Sequence, residues 1–344
     1  MRSAIGDQRP LTVPLVDSIL PAPHPLQPGG NVTVRASDVS QLDVGAVQTA
    51  FEACVRQTCP DQVALAHRLL DRLAPSRWTL EWYLPWWLGR ALALDPATTQ
   101  EVVLGNVLGL GSIRLQDDLT DGEVAPGDVA GARRLAAALY ESALAPYRAR
   151  FEPSSPFWDH LVGAMSTWRA AMANDGEPRL AARGAPLKIS AYALCLLAGR
   201  TPAYEAIEPC MDQALEALVR LDHLADWRVD LDAGRWNAFV ADVSIGPQVP
   251  EARQRHRRAV LVAMMTTDVV ADQVARIRSD FLRAAALAEV FGERQALPLP
   301  EFVEHLERLA VDAAVQGATL SEHYRDLGDR AAKLLSGPVA NARS

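Results

Sequence analysis

From about Asp43 onward, apolar residues recur every three to four positions, and strict alternation is nearly absent. That pattern excludes most folds. Recurrence near 3.6 residues lines one stripe of an α-helix with apolar side chains, whereas a half-buried strand needs a period of two. Asn-Gly and Asp-Gly hairpin signals are nearly absent as well. Helices are predicted over 44–57 and 61–73, with Ser76 a candidate cap for the next. The stretch that follows holds Trp78, Trp82, Trp86 and Trp87, and Pro85 within it is predicted to break or kink a helix. Asp95-Pro96 reads as a cap followed by proline in the first turn. It opens a long helix to Asp121, which Gly122 is placed to stop. Further helices are expected at about 128–149, 156–172, 186–197, 204–232, 251–291 and 300–335, the last two each long enough to be two. The predicted architecture is all-α, a single-domain helical bundle over 39–344.

Residues 1–38 read differently. Pro10, Pro14, Pro21, Pro23, Pro25 and Pro28, followed by Gly29-Gly30, prevent helix and predict an extended arm.

Composition narrows the function classes. The chain has 344 residues, 49% hydrophobic, enough apolar material for a large core. A net charge of −8 argues against a nucleic-acid surface. The four cysteines have neither zinc spacing nor a disulfide pattern, so they read as reduced thiols in a cytoplasmic protein. No apolar run approaches the roughly 20 residues that span a bilayer, and no basic-then-apolar leader opens the chain. Among 34 basic residues only Lys188 and Lys333 are lysines.

The apolar run 102–115 ends in Gln116-Asp117-Asp118-Leu119-Thr120-Asp121-Gly122-Glu123. Three carboxylates at i, i+1 and i+4 on a core helix repel one another and resist desolvation. Divalent cations among the oxygens would relieve both, and Mg²⁺ favours one or two carboxylates with water and phosphate. A second cluster lies roughly a hundred residues on. Asp222, Asp226 and Asp230 stand at i, i+4 and i+8, so they share one stripe of a helix, and Gly234 follows the helix end. For either cluster alone the plainer reading is a solvated acidic face, with Arg220 and Arg228 as partners for the second. The pair, each near the end of a long helix, points to a cleft where metal ions bridge a diphosphate.

Asp117-Asp118-x-x-Asp121 resembles the aspartate-rich motif of class I isoprenoid synthases. The spacing of Asp222, Asp226 and Asp230 is similar to the metal triad of class I terpene cyclases, though all three are aspartate here. Gly234-Arg235-Trp236-Asn237 is similar to the tail after that triad in bacterial cyclases, one residue shorter. Asp226 to Arg235 also resembles the second aspartate motif of squalene and phytoene synthases. The resemblance implies the class I terpenoid synthase fold and ligands for three Mg²⁺ ions. Asp117 and Asp121 would bind directly, Asp118 would be a ligand or stand behind one, and Asp222, Asp226 and Asp230 would hold the remaining metal. It further implies diphosphate contacts from Arg183, 39 residues before Asp222, and from Lys188, in a Lys-Ile-Ser segment similar to a prenyl synthase site. Arg235 sits beside the second cluster, and Tyr324-Arg325 is similar to a C-terminal Arg-Tyr pair in reversed order.

Trp82, Trp86 and Tyr192, with Trp87, Trp168 and Trp236, are candidates to line an apolar pocket, where ring faces stabilise cations. Gly105, Gly109 and Gly111 allow either close helix packing or room for substrate. His223 points off the aspartate stripe and is given no role. The expected activity is that of a class I terpene synthase, ionising a C15 or C20 prenyl diphosphate and cyclising the cation. The alternatives are a squalene/phytoene synthase-like head-to-head prenyltransferase and a non-catalytic helical protein that binds metal or a partner. Chain elongation fits less well, because 122–128 carries no base. A homodimer is the expected assembly by resemblance.

Overall fold

Helix periodicity in the sequence becomes helix in three dimensions throughout, with no strand among the described residues. The computed structural model describes residues 42–173, 180–244, 246 and 248–336; the predicted arm at 1–38 lies outside them. The helices are α1 (Val44–Thr58), α2 (Val63–Arg72), α3 (Thr79–Ala91), α4 (Pro96–Thr120), α5 (Val129–Arg148) and α6 (Pro156–Ala173). They continue as α7 (Leu187–Leu197), α8 (Thr201–Ala233), the short α9 (Ala238–Val243), α10 (Arg253–Thr266), α11 (Val269–Gln295) and α12 (Pro300–Ser336). A 3-10 turn, Leu180–Gly184, precedes α7. Among the described residues no helix is long and apolar enough to cross a membrane, and all four cysteines are free thiols.

The two helices that carry the acidic clusters are central. α4 packs along α5, and α8 lies along α11, which in turn packs on α12; α3 and α7 also touch α4. Close approach of α4 to α5 depends on Gly105. A Cβ there would meet the Ala143 carbonyl and the Pro146 ring at 3.1 Å. One continuous apolar core joins the helices, with Trp82, Phe51, Phe157 and Phe281 fully buried.

Local signals set most boundaries. Asp95 Oδ2 accepts the Thr98 N–H at 2.9 Å, so α4 starts where the Asp-Pro pair predicts. Gly122 at φ 71° and Gly234 at φ 74° end α4 and α8 in the left-handed conformation that favours glycine. After these turns the Glu123 N–H bonds the Asp118 carbonyl and the Arg235 N–H bonds the Asp230 carbonyl.

Three expectations resolve in tertiary context. The segment 251–291 is two helices, because Thr267 is extended (φ −134°, ψ 174°) between α10 and α11, whereas α12 is one helix. Ser76 does not cap α3; Trp78 holds that position without a side-chain cap. Its indole instead donates to the Arg72 carbonyl, and that of Trp82 to Leu73. Pro85 lies inside α3 without breaking it. Proline removes the bond that its N–H would make to the carbonyl four residues back, that of Glu81. Asn106 Nδ2 of α4 supplies a replacement donor to that carbonyl at 2.6 Å.

Candidate functional site

The α4 carboxylates diverge. Asp118 is buried and held by both nitrogens of the Arg72 fork, at 2.6 and 2.9 Å. That bidentate pair uses both oxygens and ties the motif to α2. Asp117 points to the cavity with Arg114, one turn back, at 3.9 Å. Loss of bulk water chiefly, with Asp121 and Asp118 nearby, pushes its carboxyl up to about 6 against the pull of Arg114. Asp121 is the C-cap of α4 and lies at the exposed rim.

The α8 stripe behaves as a connected set. Asp222 is accessible to solvent and lines the cavity. Desolvation first, then Asp226 and Asp230, push it up to about 6. Asp226 and Asp230 are raised for the same leading reason. Arg220 and Arg228 do not neutralise this stripe. Arg220 bonds Glu216 at 2.8 Å and Arg228 reaches the Tyr324 hydroxyl at 3.4 Å.

Arg235 joins the two clusters. The turn at Gly234 brings its side chain back along α8, so that Nε donates to Asp230 Oδ1 at 3.0 Å. Its Nη1 pairs with Asp121 of α4, and Glu123 stands 3.8 Å away. Asn237 fixes the other oxygen of Asp230, donating Nδ2 to Oδ2 at 2.8 Å while its own oxygen caps α9. The ends of α4 and α8 therefore face each other across one rim.

Behind this rim lies a cavity of about 640 Å³. Its wall is chiefly aliphatic, with Trp78, Tyr140, Tyr147 and Trp168 as its aromatics. Gly105 and Gly109 also line it, so the α4 glycines serve packing and space together. Arg72, Arg77, Arg114 and Arg183 line it as well. Arg183 follows from the tight seating of the 180–184 turn on α8, where a Cβ at Gly184 would strike Leu215 at 2.4 Å. Its guanidinium lies 5.7 Å from the Trp236 ring and 3.3 Å from His223 Nε2.

His223 has a place the sequence did not assign. It is buried, lines the cavity, and accepts the Ala238 N–H on Nδ1 at 3.1 Å. Burial chiefly, with Arg183 and Arg220, lowers its pKa to about 3, so it stays neutral. Arg72, Arg77 and Arg114 were also missed. Only Arg114, three residues before Asp117, carries a sequence signal, because i and i+3 share a helix face.

Other candidates stand apart from the cavity. Lys188 pairs with Glu208 at 3.1 Å and with Asp212, more than two turns before Asp222 on α8. Arg325 is exposed and pairs with Asp268, while Tyr324 is buried against α8. Trp82 and Trp86 are core residues, and Tyr192 stacks on His160 at 4.0 Å.

The donor chemistry suits a hard divalent cation. Asp117, Asp222 and Asp226 are desolvated, Asp117 is repelled by Asp121 and Asp118, and Asp222 and Asp226 are repelled by carboxylates of their own stripe; neither Asp222 nor Asp226 is ion-paired with a described residue. A cation would relieve both strains. Among the described residues, no three Asp, Glu, His or Cys side chains stand ready-made around one ion.

Comparison with protein-family models, with curated proteins and with solved structures returns no match.

Proposed function

We propose that the chain is a class I terpene synthase with that family's helical fold, acting on a linear C15 or C20 allylic diphosphate. The observation that carries this reading is the Arg235 bridge between Asp230 and Asp121. Two acidic helix ends from distant parts of the sequence thereby share the rim of a mostly apolar cavity. Its size falls within the roughly 300–1,000 Å³ usual for small-molecule sites.

The donors for Mg²⁺ are Asp117, Asp121, Asp222, Asp226 and Asp230, with Asp118 behind them, held by Arg72. When bound, the metal supplies Lewis-acid stabilisation of the departing diphosphate. Arg114 and Arg183 present guanidinium groups beside the carboxylates, and Arg235 does so across the rim. Planar forks of this kind hold phosphate oxygens and favour the charge that develops as the C–O bond breaks. Neutral His223 adds no charge there. The aliphatic wall excludes water that would quench a cation early, and the faces of Trp78, Tyr140, Tyr147 and Trp168 favour positive charge.

The test is incubation of the purified chain and Mg²⁺ with C10, C15, C20 and C25 diphosphates, followed by mass spectrometry. A cyclic hydrocarbon or alcohol is expected. A doubled chain identifies a head-to-head prenyltransferase instead, and intact substrates throughout refute both.

A further inference from the structure

Among the ionisable residues of the cavity wall that diphosphate binding does not use are Glu81 and His305. Glu81 is on α3, and its carbonyl is tied to Asn106 of α4. Asn106 precedes Asp117 by eleven residues, about 16 Å along the axis at 1.5 Å per residue. The Glu81 backbone therefore sits well below the acidic rim. Among the described residues no charged neighbour perturbs its carboxyl, and desolvation pushes it up to about 7. His305 of α12 is 3% exposed, and its Nδ1 has no hydrogen-bond partner among the described residues. Its ring packs 6.0 Å from that of Trp87, farther along α3. Burial and Arg308 hold it neutral, so it adds no cation to satisfy Glu81.

A carboxylate in an apolar cavity without a counter-charge is costly. A positive ligand beside it, or a proton delivered to it, removes that cost. Resting on the terpene synthase reading, we propose that Glu81 is the base that ends the reaction by accepting a proton from the cyclised carbocation. Diphosphate has already left with the electron pair of the C–O bond. A C–H bond adjacent to the cationic carbon breaks, and its electron pair becomes the new C=C bond. The proton goes to a Glu81 oxygen and passes to solvent after product release. Charge and atoms balance with no other reactant. The carboxylate also opposes the positive charge in the cavity before the proton moves.

The experiment compares the full-length wild type with Glu81→Gln, which keeps shape and the backbone carbonyl that Asn106 binds. The first readout needs neither metal nor turnover. Calorimetry measures N,N-dimethyloctylammonium, a cation on an apolar tail, against 1-decanol as a neutral control. E81Q is expected to weaken the ammonium by at least about tenfold, the lower end for losing a hydrogen bond to a charged group, with the alcohol little changed. The second readout is product distribution from farnesyl and geranylgeranyl diphosphate with Mg²⁺. E81Q is expected to form the proton-loss product at least about a hundredfold more slowly, with diverted alcohols or isomers in its place. Turnover with unchanged products and unchanged ammonium affinity overturns the Glu81 assignment alone. A wild type inert toward every prenyl diphosphate instead overturns the enzymatic reading beneath it.

Discussion

Asn106 on α4 donates its amide to the carbonyl of Glu81 on α3 at 2.6 Å, in place of the N–H that Pro85 lacks. One side chain thus repairs a proline defect, fastens two helices and fixes the depth of the cavity's inner carboxyl. Asn106→Ala is expected to cost about 1–3 kcal/mol in urea unfolding, the penalty for an unpaired buried acceptor. In a Pro85→Ala background, where the helix regains its own donor, the same change should cost under about 1 kcal/mol. Equal costs in the two backgrounds would refute the relationship.

Arg183 and Lys188 are five residues apart in sequence, yet only Arg183 lines the cavity. Arg183→Ala is expected to lower kcat/KM by about 10²–10³, as for loss of one donor to a developing anion. Lys188→Met and Arg325→Ala should leave turnover nearly unchanged, because those cations are engaged by Glu208 with Asp212 and by Asp268. Steady-state kinetics on the three variants tests Arg183 as a proposed diphosphate contact against the two outer ion pairs.

Asp222 is desolvated and repelled by its stripe partners in the metal-free protein. Asp222→Asn should therefore melt no lower than wild type in EDTA. Added Mg²⁺ with diphosphate is expected to raise the melting temperature of wild type and leave that of the variant nearly fixed. A larger ligand-induced rise in the variant would count against Asp222 as a metal donor.

His305 gives a pH dependence of defined sign. Its pKa falls from 6.5 to about 3 on folding, so the unfolded chain takes up the proton first. The stability from keeping it neutral is complete above pH 6.5 and drains away as pH falls toward 3, by up to about 1.4 kcal/mol per unit. Between pH 7 and 5, wild type should lose about 2 kcal/mol more than His305→Leu. Parallel urea-midpoint curves for the two proteins would show that the ring is not buried neutral.

Much of the site was legible because its signals are local. The spacing of Asp222, Asp226 and Asp230 placed them on one stripe, and their mutual influence on one another's ionisation agrees. Gly122 and Gly234 marked helix ends because a left-handed residue favours glycine. The aromatic residues resisted the same treatment. Trp82, Trp86 and Tyr192 are apolar and large whether they face a core or a cavity, and only packing distinguishes the two. Arg72, Arg77 and Arg114 show the same limit, since a guanidinium reaches far from its backbone and its direction depends on neighbours such as Asp118.

The sequence by itself determined the helices, the two acidic clusters and the turns that end them, because periodicity, capping and left-handed glycine act within a few residues. Tertiary structure decided which charges meet. Arg235 closes the rim between α4 and α8, Lys188 turns to Glu208, and Glu81 is left inside without a counter-charge among the described residues. Those outcomes depend on where helices far apart in the chain come to lie, and on desolvation that exists only once the core has closed around the cavity.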